Sequence, residues 1–258
     1  MYFIVTTFVV LSFLPIYVHT SLFNYEQHNN SNPSYIEYDT CITIYHYQNN
    51  TKQRTLNKAT IAADTIKTNI ANDSEDALEA ISTIKNIKLI PMECDLADLK
   101  SIDKFVNDLK KANGASFDAV CYNAGLARNT EASDVLRTAQ GFELTIGTNH
   151  LGHFYLNNLM MPLINKDTGR IVVTASSVHD PDSPGGAQGK TATLGDLKGL
   201  EDAVASGTGK FDMVDGGSFN ADKAYKDSKL CNVLFTRELQ RRLDESGSNI
   251  KVNSFTPG

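Results

Sequence analysis

The stretch AYKDSKLCN at residues 224–232 opens a long segment with helical spacing and places Tyr225 four residues before Lys229. Residues four apart lie on one face of an α-helix, one turn from each other. A free tyrosine has a pKa of about 10, and an ammonium at about 4 Å in a dielectric of about 20 is enough to lower it towards neutrality. The pair therefore suits a tyrosine that gives a proton beside a lysine, although this spacing also occurs by chance on exposed helices.

Outward from this helix, strand-like and helix-like segments alternate along the chain. Apolar runs predict strands at 88–94, 117–122, 170–175 and 250–255, and helical periodicity predicts helices at 101–112, 142–163 and 223–245. This alternation predicts an α/β fold with a doubly wound, Rossmann-like parallel sheet. Such sheets bind ligands at the carboxyl ends of their strands. Asp95, Asn123-Ala124-Gly125 and Ser176-Ser177 fall at these ends, so we expect a site there.

The first 53 residues do not follow the alternation. Residues 1–20 resemble the apolar core of a signal peptide broken by Pro15, with a buried strand pair as the alternative. Residues 21–53 are rich in Asn, Tyr, Gln and Thr and predict a linker or an unmatched segment. The folded domain is therefore expected at 54–258, with an insertion at about 180–218 and without a recognisable first strand.

Composition excludes several classes of function. The 258 residues are 41% hydrophobic and 21% charged, which suits one sizeable core, and the net charge of -6 argues against a nucleic-acid partner. The four cysteines are scattered and predict reduced thiols rather than a disulfide framework. His150 and His153 stand nearly one turn apart but have no third ligand at a suitable spacing, so no metal site is expected.

The order of the motifs resembles that of the short-chain dehydrogenase/reductases from about Arg54 to Gly258. Asn123-Ala124-Gly125 follows a strand, Asn149 lies in a predicted helix, Ser177 follows another strand, and Tyr225–Lys229 comes last. The strings GFELTIGTNHLGHF at 141–154 and AYKDSKLCN at 224–232, together with the long insertion, are similar to the light-dependent protochlorophyllide reductase branch of that family.

The resemblance implies a role for each matching residue. Tyr225 would donate a proton, and Lys229 would lower its pKa and bind the nicotinamide ribose of NADPH. Ser177 would orient the substrate, and Asn149 would hold a proton-relay water. The remaining implied contacts are Asn123, Ala124 and Gly125 with adenosine, Asp95 with adenine, and Arg54 with the 2′-phosphate. Cys231 is either a residue of the substrate pocket or a buried inert thiol.

The chain departs from the family pattern in its cofactor turn. No glycine precedes Gly114, whereas the family uses a Gly-rich turn after its first strand to approach the pyrophosphate. The domain is also expected to be incomplete at both ends. Three functions follow: a light-driven NADPH-dependent reductase of a carbon–carbon double bond, a dark carbonyl or retinoid reductase, or a non-catalytic remnant.

The compartment and the partners follow from these functions. A plastid location and a tetrapyrrole substrate fit the first function, and a secretory or endoplasmic-reticulum location fits the second. Association with a membrane surface is compatible with both. The insertion is expected to act as a mobile lid over the substrate or to be a disordered surface loop.

Overall fold

A computed structural model describes residues 5–12, 40–47, 88–113 and 116–257. The strands in these ranges are β1 (Val5–Ser12), β2 (Thr40–Tyr47), β3 (Lys88–Met92), β4 (Ala119–Tyr122), β5 (Arg170–Thr174) and β6 (Lys251–Phe255). They form one sheet in the order β3-β1-β2-β4-β5-β6. β2, β4, β5 and β6 run parallel as successive neighbours, which confirms the predicted Rossmann-like α/β fold.

The N-terminal strands differ from the expectation drawn from the sequence. β1 lies within the predicted apolar leader and pairs antiparallel with both β2 and β3. β2 lies within the predicted linker and pairs with β4. In the common doubly wound order, the place beside the fourth strand belongs to the first strand of the fold. β2 therefore fills the place of the first strand that the sequence did not reveal, and β1 makes this part of the described sheet mixed.

Helix α1 (Leu99–Asn113) confirms the helix predicted at 101–112. Its apolar face follows the expected spacing of three and four residues. Ile102, Phe105, Val106 and Leu109 on this face are at most 2% exposed. This face supplies one layer of the main core.

The helix predicted at 142–163 is a continuous helical segment in which the hydrogen-bond pattern changes along its length. It comprises α2 (Leu144–Ile146), a π-helical turn (Gly147–Leu151), α3 (Gly152–Met160) and a 3-10 turn (Met161–Leu163). The buried carboxylate of Glu143 caps the segment, because it accepts the backbone N–H groups of Thr145 and Ile146, each at 2.9 Å. The segment therefore has a fixed start just before the residues of the site.

Helix α5 (Ala221–Glu245) confirms the helix predicted at 223–245. Asn220 caps it by accepting the Lys223 backbone N–H at 2.8 Å. α5 packs against β5 and β6, and α1 packs against α3. The main core between strands and helices includes Phe105, Val120, Tyr122, Leu156 and Ile171, each at most 1% exposed.

The predicted insertion at about 180–218 consists of turns and the short helix α4 (Lys198–Ala205). Ala203, Phe211 and Val214 of the insertion form a second buried cluster with Ile146 of α2. This packing differs from the disordered surface loop that the sequence left open. None of the helices in the described ranges is long and apolar enough to cross a bilayer.

Candidate active site

The polar residues that follow the strands meet at one edge of the sheet, as the parallel topology predicts. Thr174, at the end of β5, donates its hydroxyl to the Asn123 side chain after β4 at 2.6 Å. Lys229 of α5 donates from Nζ to the backbone carbonyl of Thr174 at 3.1 Å. A Cβ atom placed on Gly125 would lie 3.5 Å from both Lys229 Nζ and Asn149 Oδ1. The ends of β4 and β5 and the start of α5 therefore line one small region.

Tyr225 and Lys229 are neighbours on α5, and burial controls the pKa of both. The Lys229 ammonium lies 5.5 Å from the centroid of the half-buried Tyr225 ring. Burial raises the pKa of Tyr225, against a lowering by a hydrogen bond with the Ser176 side chain. Burial lowers the pKa of Lys229 to about 8. Desolvation is the largest effect on the pKa of Tyr225 in this structure. The role of Lys229 in lowering that pKa stays a prediction.

Ser176, rather than the predicted Ser177, is the serine that meets Tyr225. The Ser176 side chain hydrogen-bonds Tyr225, whereas Ser177 is exposed and begins a 3-10 turn. Ser176 has an extended backbone, with φ −161° and ψ 144°, and successive side chains of an extended chain point to opposite sides. The sequence indicated the pair of serines, and the structure places Ser176 beside Tyr225. The role predicted for Ser177 towards a substrate stays a prediction.

Asn149 links the π-helical turn to the loop after β4 and to α5. Its side-chain oxygen accepts the Leu126 backbone N–H at 2.7 Å. Its Nδ2 donates to the Leu126 carbonyl at 2.8 Å and to Ser228 Oγ at 3.0 Å. Both amide hydrogens are thus used within the protein, and the side chain is fully buried. The predicted role in holding a relay water stays a prediction, and the observed contacts give Asn149 a structural role as well.

Asn232 is a further residue of the site, and its role was not predicted from the sequence. Asn232 donates from Nδ2 to the Thr174 carbonyl at 3.2 Å, so this carbonyl accepts hydrogen bonds from both Asn232 and Lys229. Asn232 Oδ1 also lies 3.1 Å from His150 Nδ1. Burial lowers the pKa of His150, against an opposing effect of this hydrogen bond. The signal available in the sequence was spacing alone, since Asn232 lies seven residues after Tyr225 on the same helical face.

The predicted adenosine contacts lie at the same edge of the sheet. Asp95 follows β3, and its carboxylate accepts the Ala97 N–H at 3.0 Å while its own N–H donates to Ser101 Oγ at 2.8 Å. Ala124 is buried beside Asn123. The roles of these residues towards a cofactor stay predictions. Arg54 lies outside the described residues.

Cys231 lies beneath the insertion rather than at the strand ends. It packs against the buried cluster formed by Ile146, Ala203, Phe211 and Val214. Burial raises the pKa of its thiol to about 12, so the thiolate is disfavoured near neutral pH. Within the described ranges, no group of three His, Cys, Asp or Glu side chains is arranged to hold a metal ion.

Several named reductases are similar to this chain over part of its length. Protochlorophyllide reductase from Cucumis sativus, described as chloroplastic, is 39% identical over 170 residues, which cover 65% of this chain and 42% of that relative. Protochlorophyllide reductase A from Oryza sativa subsp. japonica, also described as chloroplastic, is 35% identical over 205 residues, which cover 76% of this chain and 52% of the relative. The chain thus spans about half of the length of these relatives.

A solved structure and a family model also match part of this chain. The crystal structure of the 3-alpha-hydroxysteroid dehydrogenase from Pseudomonas sp. B-0831, complexed with NADH, aligns with 65% of this chain and 58% of its own, at a TM-score of 0.45 and 18% identity. The family model described as short chain dehydrogenase matches residues 55–188, which is more than half of the chain. With the Rossmann-like sheet and the strand-end residues in place, this chain belongs to the short-chain dehydrogenase family of oxidoreductases.

Proposed function

We propose that this chain is an NADPH-dependent reductase of the protochlorophyllide-reductase type, with Tyr225 as the proton donor. The observation that carries the proposal is the group of Ser176, Tyr225 and Lys229 at the carboxyl ends of the strands. The tyrosine hydroxyl is hydrogen-bonded to Ser176, and the lysine ammonium lies 5.5 Å from its ring. The names of the two plant relatives support the substrate class.

The residues around Lys229 fit the nicotinamide ribose of such a cofactor. An ammonium has three N–H donors, and among the described residues the Thr174 carbonyl is the one hydrogen-bond acceptor of Lys229. A Cβ at Gly125 would lie in van der Waals contact with this ammonium, at 3.5 Å, so the glycine leaves that space without a side chain. The pyrophosphate end has no such support, since no glycine precedes Gly114.

The reaction needs one hydride and one proton for each double bond. NADPH supplies the hydride to one carbon when it is bound. Tyr225 gives its hydroxyl proton to the neighbouring carbon and becomes a phenolate. Ser176 stabilises this phenolate by donating a hydrogen bond to it, and the nearby Lys229 ammonium supplies an opposite charge. Because burial raises the pKa of Tyr225, the hydroxyl is protonated and ready to donate at neutral pH.

A dark carbonyl or retinoid reductase is the second candidate, and Ser176 favours it. A serine hydroxyl that hydrogen-bonds the tyrosine is also placed to donate to a carbonyl oxygen. In that reaction the hydride would reach the carbonyl carbon, and the Tyr225 proton would reach the oxygen. The same three residues serve both candidates, so the substrate distinguishes them.

A non-catalytic remnant is the third candidate, and the missing glycines favour it. A chain that cannot approach the pyrophosphate would keep the sheet and the Ser176–Tyr225 contact without turning over. For location, we propose a plastid for the first candidate, in line with the chloroplastic relatives. A secretory compartment would accompany the second, and contact with a membrane surface is compatible with both.

The test begins with a titration of the full 258-residue chain with NADPH, in which nicotinamide fluorescence reports binding. NADPH oxidation is then measured with protochlorophyllide in light and in darkness, and with retinal and small ketones in darkness. Tyr225→Phe is the matched variant, because it keeps the ring and removes the proton. The proposal expects micromolar binding and turnover of protochlorophyllide only in light, lost in the variant.

Each other result selects a different function. Dark turnover of protochlorophyllide would overturn the light-driven proposal. Dark turnover of retinal or a ketone, with none of protochlorophyllide, would establish the carbonyl reductase. If circular dichroism shows that the chain is folded and it still does not bind NADPH, the non-catalytic remnant is the function that remains.

A further inference from the structure

The first three turns of α5 carry two sets of polar residues on two different faces. At 3.6 residues per turn, Tyr225, Ser228, Lys229 and Asn232 lie on one side of the helix. Asp222, Lys223, Lys226 and Asp227 lie on the adjacent side. The first set forms the candidate site, and the second set contacts the insertion. We call this second set the charged face.

Lys223 and Asp227 form the centre of the charged face. Lys223 Nζ lies 2.6 Å from Asp227 Oδ2, 3.0 Å from Asp215 Oδ2 and 2.7 Å from the Thr193 carbonyl. Asp227 Oδ1 accepts the Thr193 N–H at 2.9 Å. The Lys223 and Asp227 side chains are 7% and 1% exposed. Every donor of the ammonium therefore has a partner, and two of the three partners belong to the insertion.

Lys226 makes a second attachment one turn along. Its Nζ pairs with Asp222 at 2.8 Å and donates to the carbonyls of Gln188 and Lys190, the latter at 3.2 Å. Its side chain is only 2% exposed. Two lysines and one aspartate of the helix thus form hydrogen bonds with the backbone of three residues within 188–193, namely Gln188, Lys190 and Thr193.

The insertion is also the connection between the two residues that meet in the site. Ser176 precedes it and Tyr225 follows it. Tyr225 lies only five residues into α5. It directly follows the first turn, where backbone N–H groups lack partners within the helix and where fraying begins. The charged face fixes this same part of the helix from the other side.

We propose that Lys223 and Asp227 are positioning residues, which clamp the insertion to α5 and so hold Tyr225 against Ser176. A buried ion pair is tolerated only when its hydrogen-bond geometry is kept, whereas apolar side chains such as Phe211 and Val214 can slide over one another. The pair therefore fixes one register of the insertion on the helix. The insertion is a fixed wall of the site at this end, rather than a lid that lifts off the helix.

The test compares Lys223→Met with Lys198→Met by hydrogen–deuterium exchange of the full chain. Lys198 and Asp202 are also a Lys–Asp pair four residues apart, but they lie on α4 with side chains 54% and 61% exposed. We expect exchange at residues 188–193 to become about tenfold faster or more in Lys223→Met. The core strands β4 to β6 and the Lys198→Met chain should keep their exchange rates. Unchanged exchange at 188–193, or an equal change in both variants, would overturn the clamp.

Asp215→Asn keeps the test decisive if Lys223→Met does not fold. It removes one charge from the clamp and keeps a side-chain oxygen that can accept the Gly217 N–H, as Asp215 Oδ1 does. A smaller acceleration confined to 188–193 is expected. Exchange that rises equally in β4 to β6 would show that these residues support the whole fold and would overturn a local clamp.

The positioning role itself rests on the proposed function and is read from kinetics. With the substrate that the chain turns over, Lys223→Met should lower kcat about 10- to 100-fold while the KM for NADPH is little changed, and Lys223→Arg should restore part of kcat. Faster exchange with an unchanged kcat would overturn the positioning role and keep the clamp. A chain with no turnover at all fails the proposed function, and the exchange experiment still decides the clamp.

Discussion

Two lysines of α5 lie six residues apart, are both buried, and differ in what surrounds them. Lys223 on the charged face has two carboxylates and one carbonyl around its ammonium. Lys229 on the site face donates to one carbonyl, and no described carboxylate pairs with it. Burial lowers the pKa of Lys229 to about 8. The same residue type is thus a structural link on one face and, among the described residues, a charge without a counter-ion on the other.

The two lysines differ in how far carboxylates of the described residues offset the cost of burying their charge. Lowering a lysine pKa from 10.5 to about 8 corresponds to about 3 kcal/mol that disfavours the charged form. The folded chain tolerates this cost at the site. On the charged face burial raises the pKa of Asp227, and the hydrogen bond and charge of Lys223 oppose that rise. Residues that help stability and residues that help catalysis therefore separate by face on one helix.

The largest expected effect is on turnover, and it tests the site face. Tyr225→Phe should lower kcat about 10³-fold, because a positioned acid contributes about 10²- to 10⁴-fold. Its free energy of unfolding should change little, since the ring stays in place. Steady-state rates with the identified substrate check the first part, and urea unfolding checks the second. Retention of most of the activity would remove Tyr225 as the proton donor.

The next effect is on stability, and it tests the charged face. Lys223→Met should lower the free energy of unfolding by about 3–5 kcal/mol, because it leaves Asp227 buried without its cation. Lys198→Met, at the exposed pair on α4, should cost less than about 0.5 kcal/mol. Urea denaturation at pH 7 gives both values. Similar losses in the two variants would mean that burial does not distinguish these pairs.

Lys229→Met should change the free energy of unfolding in the opposite direction from Lys223→Met. Removing a buried charge without a counter-ion should raise the free energy of unfolding by about 2 kcal/mol at pH 7, after the lost hydrogen bond to Thr174 is subtracted. Turnover should be lost at the same time. If Lys229→Met destabilises the chain at pH 7, the two faces do not differ as described.

The pH dependence of that gain sharpens the comparison. Because the folded pKa of Lys229 is lowered to about 8, the unfolded chain binds more protons between pH 8 and 10.5, and stability from this group rises with pH over that window. The advantage of Lys229→Met should therefore be fully present below pH 8 and should shrink as the pH approaches 10.5. Urea unfolding of both chains from pH 7 to 10 measures this, and a gain that is constant with pH would contradict it.

The smallest effect separates two adjacent serines. Ser176→Ala should lower kcat about tenfold or more, because it removes the hydrogen bond to Tyr225. Ser177→Ala should leave kcat within about twofold, since Ser177 is exposed. Parallel rate measurements on the two variants decide the assignment. A larger loss in Ser177→Ala would restore the serine predicted from the sequence.

The parts of the fold that depend on local pattern were predictable from the sequence. The apolar face of α1, the β-branched run of β5 and the start of α5 each have a clear period, and polar residues at the strand ends indicated the edge that holds the site. A strand in the apolar leader was only the alternative to a signal peptide, and β2 was not predicted. The places of β1 and β2 in the sheet depend on partners far along the chain, which no local period reports.

The site was predictable in outline, and the details that the sequence did not indicate have physical causes. The choice between Ser176 and Ser177 depends on where the extended chain ends, and a one-residue shift reverses the side to which a side chain points. The raised pKa of Tyr225 depends on burial, which the four-residue spacing to Lys229 does not report. The clamp was not visible because the partners of Lys223, Thr193 and Asp215, are contributed by the insertion.

The π-helical turn constrains how this chain can change in length. Gly152 donates its N–H to the Gly147 carbonyl five residues earlier, so the turn holds one residue more than an α-helical turn. Loss of one residue within Gly147–Leu151 would leave an ordinary α-helical turn, so α3 would keep its register and Leu156 and Met160 would stay in the core. Asn149 lies within this turn, and its contacts with Leu126 and Ser228 would be lost. The chain could therefore shorten by one residue here and keep its core, but the site would lose the side chain that links the turn to α5.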